Sequence, residues 1–589
     1  MKKERNPIFN VFATEWSFLK DKKKTFVIYT IFFTIAGIIM LMTPLVIGTI
    51  FNKVQNQITS QAELTSLIKM IFLLLAITIG FWIFHGTARV LEQKTGFLVS
   101  RNYVNDKIEK TLELPVKWHK DHHSGDTIDK INRGSLALAE FSRNTTFEIF
   151  YGVINIVGSI IILFFFDVRA ALLALLFSFV TIYTIYQFDK KLNEHYRELN
   201  LYGNRLSAAI FDYVSNIITV ITLRLKGTVK KEIDNRIMAS YSLEKKNVLL
   251  NEFKWGFAGI AISLMIVIVL SWRAYTDYTT KGAIMVGTLY ILYGYLDNVG
   301  RTFNRFASLY GRLVRHNSRI VNAYPIDEAF AEVSEQYSKP LPSNWKEIIL
   351  EDVSFTHTKE AAEILHLENV SLKLKRGQKI ALIGASGSGK STMLALLRGL
   401  GKPDSGRIFV DKTFVSDGFN RIKKHVTLIP QDPELFNNTI SYNVTMDLPT
   451  RAEEIAWALE MAQFTSVVKR LPKGLKTNVL EKGVSLSGGE KQRLALARGL
   501  LAARKSEILL MDEPTSSVDT SNELKIYDSI LKEFKDKTII SAIHRLHLLR
   551  KFDYIYVFDE GRIIAEGTLN ELRKKPFFAK LWNKYHKDK

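Results

Sequence analysis

The sequence predicts two domains of different fold class: an all-α transmembrane domain with six helices and long cytoplasmic helix extensions, followed by an α/β domain. Two observations lead to this prediction. The first half of the 589-residue chain contains six long apolar stretches without charged residues, most of them near the ~20 residues that a membrane-spanning helix needs. The second half contains short β-rich runs that alternate with helical patterns, which is typical of a largely parallel sheet covered by helices.

The predicted spans and their flanking charges also predict an orientation in the membrane. Basic residues are concentrated before the first span, between the second and third, and between the fourth and fifth, and the loops on the other side contain fewer of them. By the positive-inside rule, both termini and the two long connections face the cytoplasm. The spans are Thr25–Phe51, Met70–Ala88, Ile149–Phe166, Ala170–Phe188, Trp255–Trp272 and Gly282–Leu296.

The composition excludes several classes of protein and of site. The net charge of +21 comes from 80 Lys and Arg residues against 59 Asp and Glu residues, and basic segments beside the spans account for much of it, so the charge does not indicate nucleic-acid binding. The absence of cysteine excludes disulfides, thiolate metal sites and cysteine nucleophiles. A hydrophobic fraction of 47% excludes intrinsic disorder.

We divide the chain at changes of composition into four segments: 1–24, 25–323, 324–344 and 345–589. The first is predicted to form a short amphipathic helix on the inner membrane surface, and an ordered cytosolic extension remains the alternative. The second is the transmembrane domain, in which the pieces 91–148 and 189–254 continue the helices into the cytoplasm. The third is a linker, and the fourth is the α/β domain.

The α/β domain contains a loop that is suited to bind phosphate. The apolar run Lys379–Ile383 leads into GASGSGKS at 384–391, and a helical pattern follows. Glycines allow backbone N–H groups to converge on phosphates at a helix N-terminus, while a lysine reaches the outer phosphates and a hydroxyl group can ligate Mg²⁺. The residues predicted to bind the nucleotide phosphates are Gly384, Ser386, Gly387, Ser388, Gly389, Lys390, Ser391 and Thr392.

A second predicted strand, Ile508–Met511, ends in the acidic pair Asp512 and Glu513. Two strands of one sheet deliver their terminal residues to the same edge, so this pair is expected to lie near the phosphate loop. Asp512 can then hold Mg²⁺ through water, and Glu513 can polarise a water molecule that attacks the γ-phosphate. The other predicted strands are Ile348–Phe355, His425–Ile429, Thr538–Ser541 and Tyr554–Phe558.

The run Leu486–Gln492, with the sequence LSGGEKQ, matches the signature of ATP-binding cassette (ABC) proteins and lies ahead of the acidic strand, as it does in that family. The whole chain resembles an exporter-type ABC half-transporter. The resemblance implies that Gln431 contacts Mg²⁺, that His544 is the switch histidine at the γ-phosphate, and that the loop 516–519 communicates across a dimer. It also implies that the signature residues Ser487, Gly488, Gly489 and Glu490 contact ATP.

Two positions depart from the family pattern. His357 stands where the family usually has a tyrosine that stacks on adenine, and the pair before the signature reads Leu480-Glu481 instead of Gly-Glu. A histidine can still stack on adenine, but its charge would make that contact depend on pH. The leucine could change the flexibility of its loop.

The resemblance further implies a dimer, because the signature of one subunit closes on the phosphate loop of the other. All the motifs of one chain are intact, which favours two identical chains, although a different partner chain remains possible. Short transverse helices near Pro115–Asp121 and Ser207–Asn216 are expected to carry motion between the domains. ATP and Mg²⁺ are the expected cofactors, and the cell membrane is the expected location.

The leading functional prediction is an ATPase that exports a lipid, drug or peptide by alternating access. Import of metal-siderophore complexes on the same fold is one alternative, and a membrane-anchored cassette ATPase that acts on nucleic acid is another. The aromatic residues of the spans could line a substrate cavity, although most are expected to face lipid or neighbouring helices. Glu148 and Asp297 are expected to lie at helix ends without a substrate role.

Overall fold

The structure is a computed structural model that describes residues 6–333, 341–342, 344–359, 362–415, 419–432, 434–479, 486–576, 578 and 582. The side chains of 193, 281, 304, 307–308, 357–359 and 362–365 are not described. The chain forms two compact units. The first comprises Met1–Leu114 and His122–Glu332, and the second comprises Pro115–Asp121 and Val333–Lys589.

The first unit is built from helices. Between α5 and α6 the chain forms one turn of π-helix, Phe141–Thr145, so that α5, this turn and α6 run on without a break. The short helix α4 belongs to the second unit. The helices are α1 (Pro7–Phe18), α2 (Lys23–Gln55), α3 (Gln61–Glu113), α4 (Val116–Asp121), α5 (Ser124–Glu140), α6 (Thr146–Phe166), α7 (Val168–Ser215), α8 (Ile217–Thr222), α9 (Lys226–Met238), α10 (Tyr241–Lys281), α11 (Val286–Val321) and α12 (Tyr324–Glu332).

Five helical segments of the described chain are long and apolar enough to cross a membrane, and they contain the first five predicted spans. The sixth predicted span, Gly282–Leu296, falls mainly in α11, which is 36 residues long but does not reach the same mean hydropathy. The sequence of α11 explains the difference, because polar and charged residues begin at Asp297 and recur along the rest of the helix.

One predicted transverse helix lies where it was expected and the other does not. Helix α4 occupies the first position, Pro115–Asp121. The prediction for Ser207–Asn216 is wrong, because α7 continues through this segment and the short helix α8 begins only after it. The break is at Asn216, whose backbone leaves the helical region (φ −104°, ψ 29°) and whose side-chain amide donates to the carbonyl of Asp212.

Helix α1 lies within the N-terminal segment and is held by both apolar and polar contacts. Phe9 is 72% exposed, whereas Val11 and Glu15 are buried. The ring of Phe12 meets the edge of Phe141 at a centroid distance of 4.9 Å. The Ser142 hydroxyl donates a 2.5 Å hydrogen bond to the Glu15 carboxyl group. These contacts connect α1 to the π-helical turn that precedes the third predicted span.

The second unit contains two sheets. One has six strands in the order β10-β9-β3-β8-β7-β6 and is parallel apart from β10, and the other is a four-stranded antiparallel sheet in the order β2-β1-β4-β5. The strands are β1 (Glu347–Lys359), β2 (Ala362–Lys375), β3 (Lys379–Gly384), β4 (Ser405–Val410), β5 (Thr413–Phe414), β6 (Val426–Ile429), β7 (Ile508–Asp512), β8 (Thr538–Ala542), β9 (Tyr554–Asp559) and β10 (Arg562–Gly567).

Helices cover both faces of the six-stranded sheet, which is why its central strands are largely apolar and buried. On β3, Ala381 and Ile383 face one hydrophobic core, and Ile380 and Leu382 face the other. The helices of this unit are α13 (Lys390–Arg398), α14 (Phe419–Ile422), α15 (Ile440–Thr445), α16 (Ala452–Met461), α17 (Thr465–Arg470), α18 (Gly488–Ala503), α19 (Thr520–Glu533) and α20 (Leu569–Leu572).

The buried carboxyl group of Glu15 predicts a pH-dependent stability. Burial raises the pKa of Glu15 to about 7, against the opposing effect of the Ser142 hydrogen bond, whereas in an unfolded chain the pKa lies near 4.5. The folded state then binds more protons between these values, so stability falls as pH rises from about 4.5 to 7 and is constant above and below that range. A Glu15→Gln variant should have a flatter profile.

The measurement is the midpoint of thermal unfolding in lipid nanodiscs from pH 5 to 8, for the wild type and for Glu15→Gln. Glutamine can still accept the Ser142 hydrogen bond, so the comparison isolates the ionisable proton. The variant should gain most over the wild type at pH 8. Parallel profiles for the two proteins would show that Glu15 is not responsible.

Candidate functional site

The predicted phosphate loop lies between β3 and α13, with its backbone in conformations that glycine favours. Gly384, Gly387 and Gly389 have φ values of 152°, 82° and 103°. A Cβ atom on Gly384 would lie 2.2 Å from the carbonyl oxygen of Phe558 and 2.6 Å from the Ser388 hydroxyl. The loop therefore leaves no room for a side chain at its first position, while Ser386 and Gly387 are exposed at its tip.

Lys390, the first residue of α13, folds back over this loop. Its ammonium group donates hydrogen bonds of 2.9 Å each to the carbonyl oxygens of Gly384 and Ala385. Burial lowers the pKa of Lys390, and the carboxylates of Glu513 and Asp512 oppose that effect. The buried Ser388 hydroxyl has no hydrogen-bond partner within the described part of the chain. Bound phosphate oxygens would provide hydrogen-bond acceptors for both the buried ammonium group and the unsatisfied hydroxyl group.

The acidic pair lies at the end of β7. The Ser391 hydroxyl donates a 3.0 Å hydrogen bond to Asp512, so the two predicted metal-binding residues are in contact. Burial raises the pKa of Asp512, while the Ser391 hydrogen bond and the charge of Lys390 act against it. A hydroxyl oxygen beside a carboxylate oxygen is a hard-ligand pair of the kind Mg²⁺ binds together with phosphate oxygens.

Glu513 is held from two sides. One carboxylate oxygen lies 2.8 Å from Nε2 of His544, and the other accepts a 3.3 Å hydrogen bond from the side-chain amide of Gln431. His544 follows β8 and Gln431 follows β6, so residues beyond three neighbouring strands meet here. Burial raises the pKa of Glu513, and the His544 and Lys390 charges oppose it. Thr392, which was also predicted to bind phosphate, is half-buried in the first turn of α13.

The backbone of Glu513 has a φ of 47°, which is in the left-handed region. For a residue with a side chain this conformation is uncommon and costs about 1–3 kcal/mol. The turn at Glu513 directs the chain away from β7 directly after Asp512. Sequence reasoning found the residue but not its strained conformation, for which the glutamate itself provides no signal.

Gln492 joins several of the motifs and was missed as a functional candidate. Its side-chain amide donates to the carbonyl of Gln431 at 3.2 Å and to the Ser516 hydroxyl at 2.7 Å, and its oxygen accepts from the backbone N–H of Ser517 at 2.8 Å. It is the last residue of the signature run, so the available sequence signal was membership in that motif. A side chain that connects three motifs can relay a movement of one to the others.

The signature segment caps its own helix. Ser487 is the N-cap of α18, and its hydroxyl oxygen accepts a hydrogen bond from the backbone N–H of Glu490. In return, the Glu490 carboxylate accepts a hydrogen bond from the backbone N–H of Ser487. The same carboxylate forms an ion pair with Arg470. A Cβ atom on Gly489 would lie 2.7 Å from the carbonyl oxygen of Ser517, so glycine is required at this position. Gly488 precedes it and is exposed at the start of the helix. Among the described hydrogen bonds, none joins this segment to the phosphate loop.

The structure describes only the backbone of the residue predicted to contact adenine. The backbone of His357 lies on β1 and pairs with Ile364 of β2, but its side chain is not described. Leu480 and Glu481 lie outside the described residues. The predictions for these three residues therefore stay predictions.

Comparisons with known proteins find similarity along most of the chain. A family model described as ABC transporter matches residues 367–516, and one described as ABC transporter transmembrane region matches 26–296, so that together they cover more than half of the chain. A multidrug export ATP-binding/permease protein of Staphylococcus aureus is 28% identical over 564 residues, covering 93% of this chain and 96% of that protein. An ATM1-type heavy metal exporter of Novosphingobium aromaticivorans is 28% identical over 512 residues, covering 85% and 82% of the respective chains.

Among solved structures, a bacterial Atm1-family ABC exporter with ATP bound has the same fold, with a TM-score of 0.82 at 23% sequence identity over 96% of this chain and 98% of that chain. The predicted fold class, a helical transmembrane domain followed by an α/β ATPase domain, is confirmed. The two family models match in the order that the sequence motifs implied. The chain belongs to the ATP-binding cassette transporter family, as a half-transporter of the exporter type.

Proposed function

We propose that this chain hydrolyses ATP to export a hydrophobic or amphipathic compound, such as a lipid, drug or peptide, by alternating access, as a dimer of two identical chains in the cell membrane. The observation that carries the proposal is the Glu513 carboxylate, which contacts His544 and Gln431 at the same edge of the sheet as the phosphate loop. In this proposal the carboxylate is the base, the two side chains that contact it are its orienting groups, and the loop holds the phosphates.

In this proposal the loop and Lys390 bind the phosphates. The ammonium group exchanges its two carbonyl partners for phosphate oxygens, and the Ser388 hydroxyl gains the partner it lacks in the described chain. Ser391 and Asp512, with Gln431, hold Mg²⁺, which supplies charge neutralisation for the transferred phosphoryl group. His357 covers the adenine ring, as the family resemblance implies.

Glu513 then acts on water. Its carboxylate accepts a proton from the water molecule that attacks the γ-phosphate, and a pKa raised by burial makes it a better base at neutral pH than an exposed glutamate. His544 and Gln431 each hold one of its oxygens, which restricts the rotation of the carboxylate.

The proposed dimer pairs the signature segment of each chain with the phosphate loop of the other, as the family resemblance implies. The described hydrogen bonds are compatible with this pairing, since none of them joins the two segments within one chain. Two chains arranged head to tail would complete both sites, with Ser487, Gly488 and Gly489 of each closing on the phosphates held by the other and Glu490 capping the helix that carries them. All these residues are intact in this sequence, which supports two identical chains.

The direction and type of substrate are proposed from relatives. The similar proteins are named as a multidrug export protein and a heavy metal exporter, and neither name describes uptake. The spans are rich in aromatic residues and poor in charge, which suits a hydrophobic or amphipathic compound better than a free metal ion.

Replacing Glu513 with glutamine tests the catalytic base. Glu513→Gln in lipid nanodiscs should lower the ATPase rate by about 100-fold or more, because the amide cannot accept the proton, while ATP binding persists. The matched control is Glu533→Gln, which changes an exposed carboxylate at the end of α19 and should leave the rate unchanged. Turnover at the wild-type rate in Glu513→Gln would refute the assignment.

Removing the Ser391 hydroxyl tests the metal site. Ser391→Ala should raise the Mg²⁺ concentration for half-maximal ATPase activity on the order of tenfold, because a ligand and the hydrogen bond that orients Asp512 are both lost. Ser391→Thr keeps a hydroxyl group and should stay close to the wild type. If the two variants had the same Mg²⁺ dependence, the hydroxyl would not be a ligand.

Mixing two inactive chains tests the shared site. Lys390→Ala damages the phosphate loop and Ser487→Arg damages the signature, so each homodimer should be inactive. Co-assembly in equal amounts should restore about a quarter of wild-type ATPase activity, because half of the dimers then contain one intact composite site.

The control for this experiment pairs Lys390→Ala with Glu513→Gln. Both changes lie on the same half-site, so every composite site keeps one defect and activity should stay absent. Tags on the two chains allow the mixed dimer to be purified before assay, and the purified mixed dimer of Lys390→Ala and Ser487→Arg should then have about half of wild-type activity, because every molecule contains one intact composite site. A mixed dimer of Lys390→Ala and Ser487→Arg without activity would contradict the shared site, and an inactive wild-type chain would indicate a different partner.

A further inference from the structure

The first unit contains a cavity that the ATPase mechanism does not use. Its volume is about 550 Å³, within the range of small-molecule pockets. Its walls come from α3, from the end of α5 with the π-helical turn and the start of α6, and from α11. The lining side chains that matter for its chemistry are Arg89, Glu140, Phe147, Glu148, Arg305 and Arg312.

Charges of both signs line this cavity. Arg312 of α11 forms an ion pair with Glu148 of α6 across it, and both side chains are about one-third exposed. Arg89 of α3 donates to Glu92 and to the carbonyl of Arg143, each at 2.5 Å. Glu148 was expected to lie at a helix end without a substrate role; it lies in the first turn of α6, and its ion pair with α11 lies beside the cavity.

One wall is aromatic. The Phe147 ring packs against His85 at 4.9 Å, against Phe33 at 4.8 Å and against Tyr151 at 5.2 Å between centroids. Of these rings, Phe147 and His85 line the cavity, and Phe33 and Tyr151 pack against Phe147. An apolar aromatic wall beside paired charges matches a compound with a charged headgroup and an apolar part.

The π-helical turn Phe141–Thr145 supplies an independent indication of a site. A π-turn inserts one extra residue into a helix at a cost in hydrogen-bond geometry, and such turns occur often at functional sites. Here it directly precedes Phe147 and Glu148, and its last residue, Thr145, lines the cavity. The turn shifts the register of α6 relative to α5, so it sets which side chains of α6 reach the cavity.

We propose that this cavity binds the zwitterionic headgroup of the exported compound, an inference that rests on the proposed transport function. An anionic headgroup bound to Arg312 would leave Glu148 without its partner, and a cationic headgroup bound to Glu148 would leave Arg312 alone. An unpaired charge in a partly buried site is costly. A zwitterion replaces both partners at once, and its cationic end can also lie against the Phe147 ring.

The test uses three amphiphiles with the same dodecyl chain: dodecylphosphocholine, dodecyl phosphate and dodecyltrimethylammonium. Each competes with tritiated dodecylphosphocholine for the nucleotide-free protein in nanodiscs, in a scintillation proximity assay. The zwitterion should compete about tenfold better than either compound whose headgroup carries charge of one sign only. Equal competition by all three, or a preference for one of the charged compounds, would overturn the proposal.

The double variant Glu148→Gln with Arg312→Gln locates the effect. It removes both charges and leaves neither unpaired, so it avoids the folding penalty of a single change. It should abolish the preference for the zwitterion. The matched control is Arg301→Gln, which removes an exposed ion pair with Asp297 on the same helix and should keep the preference. A preference that survives in the double variant would place the headgroup elsewhere.

Binding without nucleotide separates this proposal from the proposed function. A wild-type protein that hydrolyses ATP in a Glu513-dependent manner but shows no headgroup preference would refute the cavity assignment alone. A protein that binds the zwitterion through Glu148 and Arg312 but has no Glu513-dependent ATPase activity would refute the proposed function and leave the binding site in place.

Discussion

The parallel register of β3, β8, β7 and β6 is the constraint on which the nucleotide site depends. Leu382 pairs with Ala542, and Ala542 pairs with Asp512, so three strands end at one level. The groups that follow these ends meet because the ends are aligned. A slip of one residue would separate them and would also exchange the two faces of every strand, and both faces are buried. The hydrophobic pattern of the strands therefore determines the geometry of the site.

The same sheet explains how the site can contain unfavourable features. Lys390 and Asp512 are removed from water, and Glu513 has a left-handed backbone. Each feature opposes folding, by about 1–3 kcal/mol for the backbone alone. The two hydrophobic cores on either face of the sheet supply the compensating free energy, since burial contributes about 25 cal/mol per Å² of apolar surface. The unfavourable groups lie at the edge of the sheet, where they do not interrupt either core.

The parts of the fold that were predictable from the sequence are those with one dominant signal. All six predicted strands are present, and the five that belong to the six-stranded sheet are largely apolar because both faces of that sheet are buried. The sixth, β1, belongs to the antiparallel sheet. Strands β2, β4, β5 and β10 were missed, since strands with a solvated face alternate polar and apolar residues and are harder to separate from loops. The break at Asn216 depends on a local hydrogen bond, and the contacts of Gln492 depend on three distant segments, so neither has a signal of its own.

The cap of the signature helix shows why sequence motifs identify a surface more readily than they assign roles within it. The family resemblance implied that Ser487 and Glu490 both contact ATP, but the two side chains make different hydrogen bonds. The Ser487 hydroxyl accepts from the N–H of Glu490, so its own proton remains available to an approaching anion. The Glu490 carboxylate already accepts from the N–H of Ser487 and pairs with Arg470, and a carboxylate would repel a phosphate. Glu490 therefore caps the N-terminus of α18, and Arg470 offsets the negative charge that this carboxylate brings to the surface for which we propose a phosphate partner.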